Sequence, residues 1–186
     1  MPFLSFLPDD ADMREIIRNR PIQMALFNQL THDLMRHQSA FTVGERELIG
    51  AFVSSTNDCP YCAGLHSVIA SHFDVPESTL EALALDFEIA PVEQRMRPVL
   101  RYVEKLTKTP YQMTQADADA VYAAGWDDSA LSDAVLICGL FNMANRIIEG
   151  HGIDRATPTE KLAASGRWLA KFGYVSTVGS AAPQQG

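Results

Sequence analysis

The chain has 186 residues, 47% hydrophobic and 20% charged, which is enough apolar material for the core of one domain. Its formal net charge is −8 and no cluster of Lys and Arg offers the basic face that duplex binding needs, so we expect no nucleic-acid partner. The first ten residues lack the basic start and long apolar run of a signal peptide, and no stretch approaches the roughly 18 apolar residues that span a bilayer. We therefore expect a soluble cytoplasmic protein with no membrane partner.

Helix signals recur along the chain, and strand signals are almost absent. Capping residues and Pro or Gly boundaries set the helix ends. The predicted helices are one that ends near Asn19 after a cap at Asp9, Asp10 or Asp12, then Pro21 to Gln38, Thr42 to Thr56, Pro60 to His72, Ser78 to Leu85, Val92 to Lys108, Thr114 to Ala124, Leu131 to Glu149 and Thr159 to Phe172.

No linker is rich enough in Pro, Gly or Ser to divide these helices into two units. The sequence therefore predicts an all-α fold, a compact multi-helix single domain over residues 1–172. Residues 173–186 are mostly small and polar, and we expect them to form a flexible tail.

The most informative segment is Cys59-Pro60-Tyr61-Cys62. Two cysteines three residues apart at a helix start face the same side, within reach of a disulfide, and the helix N-terminus favours a thiolate. A thiolate attacks a peroxide to give a sulfenic acid, which a second thiol condenses to a disulfide. A structural disulfide would not persist in a reducing cytoplasm, so the pair indicates redox chemistry.

Two other interpretations of the cysteine pair stay open. The cysteines could be small buried hydrophobic residues, or they could be half of a zinc site. Zinc would need two further ligands; His66 could supply one, and the remaining cysteine, Cys138, is far away in sequence. We therefore expect no metal and, since no Gly-rich phosphate loop or haem or flavin motif is visible, no bound cofactor.

Two further residues are candidates to move protons at the sulfurs. His66 lies one helical turn after Cys62, and its imidazole suits proton transfer near neutral pH. Glu47 lies in an otherwise apolar stretch and shares a helix face with small and polar residues that lead to Cys59. A buried carboxylate needs a partner, and we predict that His66 is that partner.

The predicted helix that contains Cys138 carries an unusual set of polar residues. Cys138 itself lies in an apolar run and is interpreted as a core thiol. Asn142, Asn145 and Arg146 follow on the same helix. They could be hydrogen bonded at a subunit interface or near the active site, and we favour a structural role.

These residues together resemble a known protein family. The pattern Glu47, eleven residues, Cys59-x-x-Cys62, three residues and His66 resembles the signature of the alkylhydroperoxidase D-like branch of the carboxymuconolactone decarboxylase superfamily. Gly125-Trp126 and the segment 141–146 are similar to its peroxidase-related subfamily. The resemblance covers residues 42–152.

The resemblance implies an all-helical fold that assembles as a homo-oligomer, commonly a trimer or hexamer. It also implies a cysteine peroxidase, or a disulfide reductase that serves a partner peroxidase. Glu47 and His66 would relay the proton that activates the thiols, Cys62 would attack the peroxide, and Cys59 would resolve the sulfenic acid. Helix-dipole reasoning alone nominates Cys59 as the more acidic thiol. The implied partners are a hydroperoxide substrate and an electron donor that is another protein or a dithiol.

One residue departs from the family pattern, and two other functions remain open. Tyr61 stands where the best-known members carry a histidine; it can support the site by a hydrogen bond but does not exchange protons near neutral pH. One alternative is an acid/base enzyme of the carboxymuconolactone decarboxylase type that uses Glu47 and His66. The other is a non-catalytic redox-sensing oligomer.

Overall fold

The structure is a computed structural model that describes residues 2–153 and 159–175. Over these ranges it contains nine α-helices, one short 3-10 turn at Pro110–Gln112 and no strand, which confirms the predicted all-α fold. The helices are α1 Met13–Asn19, α2 Pro21–Arg36, α3 Val43–Thr56, α4 Pro60–Ser71, α5 Ser78–Leu85, α6 Met96–Lys108, α7 Gln115–Ala123, α8 Asp128–Gly150 and α9 Thr159–Phe172.

The predicted helix ends hold best where a side chain caps the backbone. Thr42 and Glu45 form the predicted capping box at the start of α3. Helix α6 instead begins at Met96, later than the predicted Val92, because the preceding residues form a turn in which Glu93 accepts a backbone hydrogen bond from Met96.

Helix α3 lies at the centre of the domain and packs against α4, α6 and α8. Its apolar residues Ile49, Ala51 and Val53 have no exposed surface. Gly50 allows the close approach of α8, because a Cβ atom there would lie 2.3 Å from the ring of Phe141. The predicted site residues lie on α3 and α4, which pack against each other, and α8 contacts both helices.

Helix α8 is long and apolar enough, by length and composition, to cross a membrane. Less than half of its most apolar window is buried inside the domain. The buried residues Ile137, Phe141 and Ile148 belong to the hydrophobic core. A central core helix of a compact helical domain meets the same criterion, so α8 is weak support for a membrane span.

The capping box at Asp12 makes a local contribution that can be measured. Asp12 accepts hydrogen bonds from the backbone and side chain of Arg14, and Glu15 bonds back to the Asp12 backbone. Burial opposes ionisation, but Arg14 outweighs it and lowers the pKa of Asp12 to about 2. The interaction therefore stabilises the fold above about pH 4 and is lost as the pH falls towards the folded pKa.

We expect Asp12→Ala to lower the free energy of unfolding by about 1 kcal/mol at pH 7, the usual cost of losing a helix N-cap. Urea denaturation measures the loss, and Asp9→Ala, which alters an exposed carboxylate, is the control. The difference in free energy of unfolding between wild type and Asp12→Ala should become smaller as the pH falls from about 4 to about 2. An equal loss in the two variants at pH 7 would contradict the capping role.

The segment after α9 differs from the prediction of a flexible tail that starts at residue 173. Tyr174 is only 6% exposed and lies in the core, where its hydroxyl donates a hydrogen bond to Glu47. Tyr174 is buried because its large aromatic ring is stabilised by leaving water, whereas small polar side chains would gain little from burial. The rest of the predicted tail, 176–186, lies outside the described residues.

Candidate active site

The cysteine pair begins α4. Cys59 is the N-cap residue and Pro60 the first helical residue, and Cys62 lies within the first turn. The turn from α3 into α4 passes through Asp58, whose φ of 54° is left-handed. Both cysteines are free thiols and buried, Cys59 with no exposed surface and Cys62 at 4%.

The two thiols are electrostatically unequal. Hydrogen bonding between the sulfurs lowers the pKa of Cys59 against the effect of burial, and Glu149 on α8 also opposes the shift. The same contact with Cys59, together with burial, raises the pKa of Cys62 well above its ordinary value. These shifts favour ionisation of Cys59 over Cys62.

Glu47 is fully buried on α3 and meets three donors. His66 Nδ1 lies 2.7 Å from its Oε2 atom, which confirms the predicted partnership. Arg36 Nη1 lies 2.6 Å from Oε1, and the Tyr174 hydroxyl donates to the same oxygen at 2.7 Å. Every donor is charged or polar, so the carboxylate is satisfied without solvent.

These contacts determine the charge of Glu47 and the tautomer of His66. Burial raises the pKa of Glu47, but the His66 hydrogen bond, the Arg36 charge and the Tyr174 hydrogen bond outweigh it, and the pKa is lowered. Because an ionised carboxylate only accepts, His66 Nδ1 must carry the shared proton. In the neutral ring Nε2 is then left as the basic nitrogen.

His66 is held in place by two aromatic rings. The edge of the imidazole meets the Phe141 ring at a centroid distance of 4.5 Å, and Tyr174 lies nearly parallel to it at 6.2 Å. The hydrogen bonds of His66 among the described residues involve Glu47 and Tyr174, not a sulfur. Cys62 lies one turn earlier on the same helix, α4.

The polar residues of α8 form a network beside Cys62. Asn145 is 1% exposed and donates to Ser54 Oγ at 2.9 Å, while its carbonyl oxygen accepts from Asn57. Asn145 also hydrogen bonds Cys62, which partly offsets the rise in the pKa of that thiol. Asn145 on α8 therefore contacts both α3 and the cysteine pair. It has the predicted structural role and also lies next to Cys62.

Cys138 is separate from the cysteine pair in its contacts. It is 1% exposed, and its sulfur lies 3.3 Å from Thr107 Oγ1 and 3.4 Å from Asn142 Nδ2. Burial raises the pKa of Cys138. It is therefore a core thiol, as the sequence predicted.

Tyr61 is directed towards the start of α1. Its hydroxyl hydrogen bonds the backbone of Met13 beside Asp12, and the residue is 6% exposed. Burial and the charge of Asp12 raise its pKa far above the ordinary value. Tyr61 thus links α4 to the start of α1, and its raised pKa keeps the phenol protonated near neutral pH.

Arg36 and Tyr174 are the site residues that sequence analysis missed. Arg36 ends α2, and its guanidinium lies over the rings of Phe73 and Tyr174 at 5.3 and 4.9 Å. The one available signal for Tyr174 was an aromatic residue in a segment otherwise rich in small side chains. No group of three or more His, Cys, Asp or Glu side chains suited to a metal ion occurs in residues 2–153 and 159–175.

Comparisons with known proteins agree with this architecture. The carboxymuconolactone decarboxylase family model matches residues 23–104. The crystal structure of an uncharacterized peroxidase-related protein from Silicibacter sp. TM1040 is 26% identical with a TM-score of 0.71, over 76% of this chain and 74% of that one. The alkylhydroperoxidase AhpD core of an uncharacterized peroxidase-related protein from Ralstonia eutropha JMP134 is also 26% identical, with a TM-score of 0.73, over 82% and 78%. No curated protein matches the chain.

The fold and its relatives define the class as an all-helical protein with the alkylhydroperoxidase D-like core. Residues 23–104 are similar to the carboxymuconolactone decarboxylase family, in agreement with the resemblance that the sequence pattern indicated. The matched range includes Glu47, Cys59, Cys62 and His66, and it ends before Tyr174.

Proposed function

We propose that this protein is a thiol-dependent antioxidant oxidoreductase, a peroxidase that reduces hydroperoxides through a reversible Cys59–Cys62 disulfide. The observation that carries the proposal is the pair of free thiols at the start of α4, with Cys59 at the N-cap and Cys62 in the first turn. The two similar structures are both of proteins described as peroxidase-related. That description favours this function over others that a helical dithiol could serve.

The chemistry is balanced over two steps. A Cys62 thiolate attacks the outer oxygen of ROOH and the O–O bond breaks, which gives a Cys62 sulfenic acid and an alkoxide. His66 returns the proton that it took from Cys62 to the alkoxide, which leaves as the alcohol ROH. The Cys59 thiolate then attacks the Cys62 sulfur, forming the disulfide and releasing water once a proton is supplied. Two electrons thus pass from the thiols to the peroxide.

Exposure and acidity assign different roles to the two cysteines. Cys62 is 4% exposed and Cys59 has no exposed surface, a difference that favours Cys62 as the site of peroxide attack. The contact with Cys59 leaves a proton on Cys62, and removing it is the task of His66 and Glu47. Cys59, with its lowered pKa, is already suited to resolve the sulfenic acid and to leave when a reductant attacks Cys62.

The cycle needs an electron donor, which we propose to be another protein or a small dithiol in the cytoplasm. We also propose that the protein acts as a homo-oligomer, a trimer or a hexamer, in keeping with the resemblance. Exposed apolar side chains on α2, at Ile22 and Leu26, are available to such an assembly.

An acid/base enzyme of the decarboxylase type is the second candidate. The observation that favours it is the Glu47–His66 pair, which forms without any sulfur and lies within the matched family range. In that case the cysteines would be incidental. A redox-sensing oligomer would form the disulfide without turning over peroxide.

The test is a thiol titration before and after one equivalent of hydroperoxide, with mass spectrometry to locate any bridge. We expect the loss of two thiols per chain and a peptide cross-link between Cys59 and Cys62, with Cys138 unchanged. If both cysteines remain free thiols while peroxide is present, the proposed function is wrong. Steady peroxide consumption with a regenerating dithiol then separates a peroxidase from a sensor.

A further inference from the structure

We propose that Tyr174 is a positioning residue, and that the segment after α9 completes the site by fixing the Glu47 carboxylate for His66. The proposal rests on the proposed function only in that Glu47 and His66 are the proton relay there. It adds to the site a residue that lies outside the matched family range of 23–104.

The two oxygens of Glu47 are divided between separate partners. Oε1 receives both the Tyr174 hydroxyl, at 2.7 Å, and Arg36 Nη1, at 2.6 Å. Oε2 receives His66 Nδ1 at 2.7 Å. With Oε1 occupied by two donors, rotation of the carboxylate would break two charge-assisted hydrogen bonds, so Oε2 stays aligned with the imidazole.

Tyr174 is itself held at both ends. Its backbone N–H donates to His32 Nδ1 on α2 at 3.3 Å, and its ring centroid lies 4.9 Å from the Arg36 guanidinium and 6.2 Å from the His66 ring. The residue before it, Gly173, has a φ of 70° and no room for a side chain, since a Cβ atom would lie 2.6 Å from His32 Cε1. The backbone that leads into Tyr174 therefore requires glycine at position 173 and the contact with His32 on α2.

The arrangement makes α2 and the segment after α9 one support for the relay. His32 and Arg36 are one turn apart on α2, and the first contacts the Tyr174 backbone while the second contacts its ring. The buried phenol is a donor only, because burial, with the charge of Glu47, raises the pKa of Tyr174 well above its ordinary value. It therefore orients Glu47 and does not compete with His66 for the proton.

The test uses Tyr174→Phe in the full chain, which keeps the ring and removes the hydroxyl. Since the Tyr174 hydrogen bond is one of the interactions that lower the pKa of Glu47, we expect the Glu47 carboxyl, followed by ¹³C NMR, to protonate at a higher pH than in wild type. The acid limb of peroxide turnover should move in the same direction. We also expect kcat to fall about fivefold with little change in KM.

Tyr111→Phe, which alters an 83% exposed tyrosine, is the matched control and should leave the Glu47 titration unchanged. A Tyr174→Phe protein that melts earlier but shows the wild-type Glu47 titration would overturn the proposal, because Tyr174 would then only fill space. If wild type consumes no peroxide, the proposed function fails, while the carboxyl titration still decides the role of Tyr174.

A measurement on wild type covers the case in which Tyr174→Phe does not fold. We expect a slowly exchanging Tyr174 hydroxyl proton with a nuclear Overhauser contact to the His66 ring, since the hydroxyl oxygen lies 3.5 Å from His66 Nδ1. A hydroxyl proton in fast exchange with water, and without that contact, would contradict the proposed placement.

Discussion

Replacing Glu47 by Gln is expected to lower the free energy of unfolding by about 3–5 kcal/mol at pH 7, the usual cost of leaving one partner of a buried ion pair uncompensated. Glu47 has no exposed surface and its partner Arg36 is 12% exposed, so neither charge can be solvated instead. Glutamine keeps the shape of the side chain but offers one acceptor oxygen to three donors. Urea denaturation measures the change.

A double-mutant cycle with Arg36→Met separates the ion pair from the rest of the loss. We expect the double variant to be more stable than the sum of the single losses predicts, with an interaction energy of about 1–3 kcal/mol. Glu104→Gln, which breaks the exposed pair with Lys108, is the control and should cost less than about 1 kcal/mol. Additive losses at Arg36 and Glu47 would mean that the two charges do not stabilise each other.

The stability lost in Glu47→Gln should depend on pH, in a direction set by the lowered pKa of Glu47. The pKa of Glu47 is lowered in the folded protein, so its contribution is present above the unfolded value of about 4.3 and disappears as the pH falls through the folded value. The stability curves of wild type and Glu47→Gln should therefore converge below about pH 4. Curves that stay parallel into acid would show that Glu47 is not ionised in the fold.

Sequence reasoning succeeded where a local pattern carried the information. The capping box of Thr42 and Glu45 fixes the start of α3 by hydrogen bonds within four residues. The spacing of Cys62 and His66 on one helix placed both correctly. The need of a buried carboxylate for a partner led from Glu47 to His66 because few polar residues compete in that stretch.

Sequence reasoning failed where distant segments meet. Arg36 ends one helix and Tyr174 follows another, and no periodicity relates either to Glu47. The turn that delays the start of α6 also involves distant segments, because Arg95 in that turn pairs with Glu45 and lies over the Trp126 ring. Such contacts override local helix propensity and leave no trace in spacing.

The cysteine pair joins both kinds of information. Its position at a helix N-terminus could be inferred from Pro60 and the spacing, and helix-dipole reasoning already favoured Cys59 as the more acidic thiol. The structure adds that the two sulfurs act on each other and that Asn145 and Glu149 of α8 tune them. The proposed roles are divided accordingly, with Cys62 as the nucleophile and Cys59 as the resolving thiol.

That division predicts different outcomes for the two single-cysteine variants. Cys62→Ser should lose peroxide turnover by at least about a thousandfold and consume no peroxide in a single-turnover experiment, since the proposed nucleophile is gone. Cys59→Ser should also lose turnover but consume one equivalent, leaving a sulfenic acid on Cys62 that a dimedone-type trapping reagent labels. Cys138→Ser, which alters the core thiol beside Thr107, should retain turnover.

The pattern of these variants also decides between the candidate functions. If Cys59→Ser rather than Cys62→Ser fails to consume the first equivalent, the more acidic thiol is the nucleophile and the proposed order of attack is reversed. If both variants keep a wild-type activity that Glu47→Gln abolishes, the sulfurs are incidental and the acid/base enzyme is the better description. The cysteine variants test the contact between the two sulfurs, and Glu47→Gln tests the separate hydrogen bond between Glu47 and His66.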